Sequence, residues 1–463
     1  MLRLTPVDPL DTLWDALLPA EVSVLPEDLA RIDEILAHDS MLVAFRDHWD
    51  EEALAKGRPT IPMAIYVRLM VVKYRTGWGY ETLVREVSDS LHLRRFCLLA
   101  LHHRTPHEST VRKLTRRLGS QVVDDLIRGL IRQSLRERRF RPRAMRVDST
   151  VAEADIRYPT DIGLCGDALR KLAKAAQRVR QAIPTIRRRV QDRTRAVRRR
   201  IWDLTRALRR RKEKARDAAQ RLTEPAAQLV KRSLGEARRV LEEAKRRRSR
   251  PQGVTPHGRR RALQRLEQSI ALAERVVEQV RQRFAGEKIS ERLVSLADPD
   301  ARVIRRGKTA KPNEFGYVVQ FAELTAHTRR GARGLLLPPK LEAGSTHENT
   351  LLAETVAELE GLGIRPREAA LDGGFTLKVA AALLEPLGCE PFVVGSSHPP
   401  SRRTKRRLGR YRVGCEGRIA HLKRAYGAGR AKLRRTEGAR TCESWAVFAY
   451  DLDTLALMPH PTR

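Results

Sequence analysis

Cysteine is scarce in this chain of 463 residues, and its five copies are scattered along the sequence. No two of them form a Cys-x-x-Cys pair, which is the spacing found in zinc knuckles and redox motifs. A disulfide-stapled fold also requires densely spaced cysteines. We therefore expect neither a zinc knuckle nor a disulfide framework, and the usage fits a reducing cytosol. The cysteines are Cys97, Cys165, Cys389, Cys415 and Cys442.

Long apolar runs are also missing. No stretch reaches the roughly 18 consecutive apolar residues that mark a candidate membrane helix. The segment Met1–Asp8 carries no apolar core of the kind that marks a signal peptide. We therefore expect a cytoplasmic protein that does not insert into a membrane.

Acidic residues are few relative to basic ones: 56 Asp and Glu face 92 Lys and Arg, which gives a formal net charge of +36. A chain this basic is attracted to phosphate backbones and releases counterions when it binds them. An anionic membrane surface and a generally arginine-rich proteome are alternative explanations. With 41% hydrophobic residues the chain has enough apolar material for a core, and its length predicts two to four domains.

Residues 1–140 show apolar positions at helical spacing, and the segment 109–119 begins with Ser and Thr and ends on glycine, as a capped helix does. We predict a helical N-terminal DNA-binding domain over 1–140. Short helices in series, with Arg112 and Arg116 on the last, are typical of helix-turn-helix arrays whose final helix contacts DNA. An ordinary helical bundle with a solvated basic face fits the same pattern.

Residues 167–291 differ from the rest because they are rich in arginine, poor in aromatic residues and periodic. Apolar positions recur three and four residues apart on both sides of a turn at 249–258, with a helical run between them that we expect to be interrupted near Pro225. The pattern predicts a helical hairpin or small coiled-coil bundle inserted into another domain. Its arginine-lined faces either contact DNA or form a solvated coiled coil that serves dimerisation or spacing.

Residues 141–166 and 292–463 alternate β-prone and helical segments, starting with a strand at 144–151. Such alternation predicts an α/β domain in which a mixed sheet is flanked by helices. Within it, we expect residues 401–407 to be a basic loop that leads into a helix.

Three acids in this domain fit one chemical task. Asp148 lies in a β-prone run, Asp372 ends a second such run, and Glu416 lies in a helical segment. Phosphodiester cleavage is served by two divalent ions about 3.5–4 Å apart, and Mg²⁺ takes oxygen ligands from a few carboxylates. Strand ends hold such ligands rigidly. We therefore predict a metal site built from Asp148, Asp372 and Glu416.

Cations flank the third acid. Arg412 precedes Glu416 by four residues and Lys423 follows it by seven, so all three project from one face of a helix. This predicts a metal ligand whose neighbours hold DNA phosphates. The alternative is an exposed ion pair between Arg412 and Glu416, worth a few tenths of a kcal/mol.

These motifs resemble those of bacterial insertion-sequence DDE transposases. Arg-Val-Asp-Ser-Thr-Val-Ala-Glu-Ala-Asp around Asp148, Leu-Asp-Gly-Gly-Phe around Asp372 and Cys-Glu-Gly-Arg-Ile-Ala-His-Leu-Lys-Arg around Glu416 are similar to the family's three acidic motifs. The spacing of Arg412, Glu416 and Lys423 matches the signature around the family's glutamate. The helical region through about Leu118 is similar to the N-terminal domain of the InsH-type transposases.

The resemblance implies a ribonuclease H-like fold in which Asp148, Asp372 and Glu416 are catalytic and bind two Mg²⁺ ions, with Mn²⁺ as a substitute. It also implies cut-and-paste transposition on double-stranded DNA, at terminal inverted repeats and a target, by a homodimer associated with the nucleoid. The DNA-binding candidates are Arg412, Lys423, Arg418, Arg402, Arg403, Lys405, Arg112 and Arg116.

The chain departs from the family's pattern at three places. Gly409 stands where the signature has a tyrosine, Cys415 stands where a small Ala or Ser is usual, and the tail 447–453 lacks a His-Asn-Leu ending. Two alternatives therefore stand beside an active transposase. One is a DNA-binding relic without catalytic activity, and the other is a structural coiled-coil protein.

Overall fold

Helices account for most of the described residues before the first strand. The computed structural model describes residues 1–6, 19, 21, 24–38, 40–49, 58–209, 215–247, 255–305, 313–344, 346–396 and 401–459. These residues form two compact units, one made of 1–155 with 304–463 and the other of 156–303. The helices before the first strand are α1 (Glu27–Leu36), α2 (Ser40–Asp47), α3 (Met63–Thr76), α4 (Tyr80–Asp89), α5 (Leu91–Phe96), α6 (Glu108–Leu118) and α7 (Gln121–Arg136).

Helix α3 is the buried centre of this helical region. It starts directly after Pro62, whose fixed φ suits a helix start, and it stops at Gly77, which has a φ of 71°. Every residue from Met63 to Tyr74 is buried. A helix buried on all sides, here including Arg68 and Lys73, must be surrounded by other elements.

The second unit, 156–303, is a small helical bundle with its own core. Its helices are α8 (Asp161–Ala182), α9 (Thr194–Arg209), α10 (Ala215–Arg246) and α11 (Pro256–Phe284). Buried side chains from all four meet in one cluster, including Leu172, Val197, Val230 and Leu266. The helical character predicted for 167–291 agrees with these four helices, whereas the coiled-coil insertion stays a prediction. Most of the expected turn at 249–258 lies outside the described residues.

The predicted interruption near Pro225 is wrong, because α10 runs through it as one helix. A proline removes one backbone hydrogen bond and crowds the preceding turn. Pro225 itself is exposed, whereas the next two residues, Ala226 and Ala227, are buried in the core of the bundle. We attribute the continuity of the helix to this packing on its inner face.

Most of the chain's net positive charge lies in this second unit. Residues 156–303 hold 41 of the 92 Lys and Arg but only 17 of the 56 Asp and Glu, so they carry 24 of the 36 net positive charges. Most of their buried positions are apolar, and no described Lys or Arg side chain of this unit is buried, so these cations lie on the outer faces of the helices.

The first unit contains a mixed sheet. Its main path runs β2-β3-β1-β6-β7, while β4 and β5 pair with β3, and β8 pairs with β1. Strand β1 is antiparallel to β3 and parallel to β6, and β6 is parallel to β7. The strands are β1 (Ala144–Ala154), β2 (Arg302–Arg305), β3 (Asn313–Thr325), β4 (Leu335–Leu336), β5 (Lys340–Ala343), β6 (Glu368–Leu371), β7 (Glu390–Val393) and β8 (Arg430–Ala431).

Helices α12 (Glu348–Leu362), α13 (Leu377–Leu384), α14 (Arg402–Ala425) and α15 (Arg435–Ala456) complete this unit. Helix α15 is buried along nearly its whole length, and Trp445 at its middle packs edge-on against Tyr66 of α3. It also packs on α7 and on strands β4 and β5. The N-terminal helices and the sheet therefore share one core.

The prediction of a mixed sheet flanked by helices is confirmed. The predicted loop at 401–407 is wrong, because α14 already begins at Arg402. The side chain of Ser401 accepts a hydrogen bond from the backbone N–H of Thr404 at 3.3 Å, which is an N-terminal cap. Among the described residues, no helix is long and apolar enough to cross a membrane.

Candidate active site

The parallel pairing of β1 and β6 brings two of the predicted acids together. Val147 of β1 is in register with Leu371 of β6, so the residues that follow them, Asp148 and Asp372, emerge side by side. Each carboxylate accepts a hydrogen bond from the next backbone N–H, at 2.8 Å from Ser149 and at 2.7 Å from Gly373. These bonds fix the direction in which both carboxylates point.

Helix α14 carries the third acid, and Arg412 lies among the three. Its Nη2 is 2.5 Å from Glu416 Oε1 and 3.7 Å from Asp148 Oδ2, and its Nη1 is 3.1 Å from Asp372 Oδ1. The side chain of Arg412 is only 11% exposed, whereas that of Glu416 is 57% exposed. All three predicted acids therefore surround one guanidinium group.

The four side chains differ in how firmly they are held. Asp148 is buried within β1, which pairs with β3 along almost its whole length. Asp372 is half-exposed at the end of β6. Glu416 and Arg412 are one helical turn apart, so they form an i,i+4 pair. The predicted ion pair exists, but Arg412 is enclosed by the aspartates instead of being exposed.

The donor set suits a hard divalent cation, because it consists of carboxylate oxygens from two strands and a helix. In the described part of the chain, however, no group of three or more His, Cys, Asp or Glu side chains is arranged to hold a metal ion. The carboxylates converge on the guanidinium instead. The residues fit a metal centre chemically, and Arg412 occupies the space between them.

Burial changes the acidity of Asp148. Loss of solvation raises the pKa of its carboxyl from 3.8 to about 6, and the guanidinium of Arg412 partly opposes that change. The neighbouring charges of Asp372 and Glu348 make smaller contributions that also raise the pKa, and the value of about 6 includes them. A carboxyl whose pKa is perturbed by burial and by nearby acids is typical of functional sites.

Glu348 is a fourth acid near the site, and sequence reasoning missed it. It opens α12, where the Gln320 side chain on β3 donates to its backbone carbonyl at 3.1 Å. Its carboxylate reaches the turn after Asp372, where a Cβ on Gly374 would collide with it. The only sequence signal was Gly374, because an acid in the first turn of a helix is common for other reasons.

Lys423 and Arg418 point into the protein. Lys423 Nζ donates to Thr150 Oγ1 at 2.7 Å and to the Val151 carbonyl at 3.0 Å, which joins α14 to β1. Arg418 Nε donates to Glu323 Oε1 at 3.1 Å. Contact of either side chain with DNA stays a prediction, and in this state both stabilise the packing of α14.

The remaining DNA-binding candidates lie on two helices. Arg402, Arg403 and Lys405 are exposed on the first turns of α14. On α6, Arg112 is paired with Glu108 one turn earlier, while Arg116 is exposed. None of these five side chains belongs to the cluster around Arg412.

A buried ion network below the site was also missed. Arg146 Nε donates to Glu323 Oε2 at 2.8 Å, and its Nη1 donates to the Tyr411 carbonyl of α14 at 2.9 Å. Glu323 is fully buried and also accepts from the backbone N–H of Gly334 at 3.0 Å. A Cβ at Gly414 would overlap the Arg146 guanidinium, so glycine is needed for this close approach. The network holds α14 in place one turn before Glu416.

Two residues near the departures from the family pattern have structural roles: Tyr411, which lies two residues after Gly409, and Cys415. The hydroxyl of Tyr411 pairs with Thr325 Oγ1 at 2.6 Å, which ties α14 to β3. Cys415 is buried directly before Glu416, and burial raises the pKa of its thiol well above 9.0. A thiol of this kind behaves as a small apolar side chain.

One part of the chain is similar to a known protein family. Residues 17–117 match the family described as "Transposase domain (DUF772)". This match supports a transposase family and covers about a fifth of the chain, ending before Asp148. No curated protein and no solved structure matches the chain.

Proposed function

We propose that this protein is a DDE transposase that binds the inverted-repeat ends of an insertion sequence and carries out metal-dependent DNA cleavage and strand transfer. The observation that carries the proposal is the gathering of Asp148, Asp372 and Glu416, distant in sequence, around Arg412. The match of residues 17–117 to a transposase domain supports it independently.

In this proposal the sheet domain is ribonuclease H-like, and the bundle is an insertion after its first strand. Support comes from the strand arrangement, in which β1 has an antiparallel neighbour on one side and the parallel β6 on the other. A fold likeness alone would not define an activity. The carboxylates at the carboxyl end of β6, in the middle of β1 and on α14 connect this fold to phosphodiester chemistry.

Asp148, Asp372 and Glu416 would hold two Mg²⁺ ions, with Mn²⁺ as a substitute. Such ions supply charge neutralisation at phosphorus and a deprotonated oxygen nucleophile at neutral pH. The chain's own contribution is positioning. Asp148 is fixed by a paired strand and Asp372 by its turn, and the exposed Glu416 is accessible to DNA from solvent.

DNA would contact the basic surfaces of each unit. On the first unit these are the exposed arginines and lysine at the start of α14, together with Arg116 of α6. On the second unit they are the outer arginines of the bundle, which carry most of the net charge. Phosphate contacts of this kind give affinity without sequence selection. We place the protein on the nucleoid as a homodimer bound to inverted repeats and target DNA.

The test is cleavage of supercoiled DNA carrying the element's ends, in Mg²⁺ or Mn²⁺, by the protein and by Asp148→Asn. We expect metal-dependent cleavage that the substitution abolishes while DNA binding is kept. Asp155→Asn is the matched control, because Asp155 directly follows the same strand, forms an exposed ion pair with Arg430 and should leave cleavage unchanged. Binding without cleavage by the unchanged protein would instead indicate an inactive relic.

A further inference from the structure

We infer that Arg412 competes with divalent metal ions for the three carboxylates, so that the DNA-free protein keeps its metal site closed. This inference rests on the proposed function, because it concerns the same Asp148, Asp372 and Glu416. In the DNA-bound state, Arg412 would leave the carboxylates for a DNA phosphate, and the metal ions would then enter.

The geometry makes the two occupants exclusive. The guanidinium has one carboxylate oxygen of each acid within 3.7 Å, and the closest, on Glu416, is at 2.5 Å. Mg²⁺ requires its oxygen ligands at about 2.0–2.1 Å in near-octahedral geometry. With Arg412 in place, no three acids in the described ranges are arranged to hold a metal ion. Metal coordination therefore requires the guanidinium to withdraw.

Charge balance gives the site two stable arrangements. Three ionised carboxylates attract one guanidinium strongly at this site, where the side chain of Arg412 is only 11% exposed. Two divalent ions would turn the same cluster from negative to positive, and the guanidinium would then be repelled. Each occupant therefore disfavours the other, which is the requirement for a two-state element.

Arg412 is also suited to leave. Its Nε is buried without a hydrogen-bond partner among the described residues, so its enclosed position does not satisfy all of its donors. A phosphate offers a guanidinium two parallel charged hydrogen bonds. The exposed Arg402, Arg403 and Lys405 lie at the start of the same helix. DNA held by these side chains would bring phosphates near Arg412.

The consequence is a coupling between DNA and metal binding. If a phosphate removes Arg412 from the carboxylates, DNA raises the metal affinity, and by thermodynamic linkage the metal raises the DNA affinity by the same factor. The protein would then form a complete metal site only on DNA. Unwanted activity of the free protein would be suppressed by its own arginine.

The experiment measures the Mn²⁺ affinity of the full-length protein with and without a short DNA duplex. Mn²⁺ is titrated into the protein, and electron paramagnetic resonance reports the concentration of free Mn²⁺. Arg412→Gln should bind Mn²⁺ at least about fivefold more tightly than the unchanged protein in the absence of DNA, at the lower end of usual coupling factors. The duplex should tighten Mn²⁺ binding to the unchanged protein and have little effect on the variant.

Two further variants keep the result interpretable. Arg412→Lys retains the charge but cannot span the carboxylates as a fork, so its Mn²⁺ affinity should lie between the other two. Arg410→Gln is the matched control, because Arg410 is exposed on the same helix. Equal or weaker Mn²⁺ binding by Arg412→Gln would overturn the inference and leave the proposed function standing. Absence of Mn²⁺ binding in every variant, with DNA present, would overturn the proposed function as well.

Discussion

Asp148→Asn should raise the free energy of unfolding of the metal-free protein, and this increase should be larger at higher pH. The folded protein raises the pKa of the Asp148 carboxyl from 3.8 to about 6, chiefly because the carboxyl is buried. The folded state therefore binds this proton more tightly than the unfolded chain does. Stability from the protonated carboxyl is fully present below about pH 3.8 and is lost progressively as pH rises through about 6.

The magnitude follows from the size of the shift. A change from 3.8 to about 6 corresponds to about 3 kcal/mol at about 1.4 kcal/mol per pKa unit. Asparagine resembles the protonated carboxyl in size and has no charge to desolvate. We therefore expect the variant to gain about 3 kcal/mol over the unchanged protein at pH 8, and well under 1 kcal/mol at pH 4.

The free energy of unfolding is measured by urea denaturation in EDTA at pH 4, 6 and 8. Hydrogen exchange of the backbone amides of β1 and β6 then reports the stability around the site. Asp155→Asn serves as the control, because Asp155 is exposed and its ion pair with Arg430 should contribute little. A gain that does not change with pH, or a loss of stability at pH 8, would refute the assignment of a desolvated charge to Asp148.

Two other substitutions test the packing of each unit. Glu323→Gln should lower the free energy of unfolding of the first unit by about 3–5 kcal/mol, because it leaves the guanidinium groups of Arg146 and Arg418 buried without their shared carboxylate. Chemical denaturation measures this loss, and a loss below about 1 kcal/mol would contradict the prediction. Leu266→Ala should cost about 2–5 kcal/mol in the bundle, because Leu266 is fully buried in its core. Hydrogen exchange should then show faster exchange in α8, α10 and α11 with little change in β1, and equal effects on both units would contradict the separation of their cores.

Periodicity allowed much of the fold to be predicted. The strand around Asp148, the helix around Glu416 and the helical character of 1–140 and 167–291 all follow from local patterns of apolar residues, which act over a few residues. The ends of the helices were predicted less accurately. The basic run after Ser401 suggested a loop, but the cap from Ser401 and the buried Leu408 and Tyr411 extend the helix back to Arg402.

The direction of the cations in the site was not predictable from the same pattern. Helical spacing places Arg412, Glu416 and Lys423 on one face, but it does not say what that face packs against. In the structure Lys423 is bound to β1 and Arg418 to Glu323 of β3, so both are held in the interior. For Glu348 the only sequence signal was Gly374, because the proximity of Glu348 to Asp372 depends on the placement of α12.

The sequence by itself determined the excess of positive charge, the three acids and the elements that carry them. These properties are either sums over residues or patterns of short range. Only the tertiary structure decided that Asp148 and Asp372 emerge side by side, because that depends on the parallel register of β1 with β6 across more than two hundred residues. It alone also placed Arg412 among the carboxylates, since an ion cluster of this kind requires a helix and two strands to meet at one point.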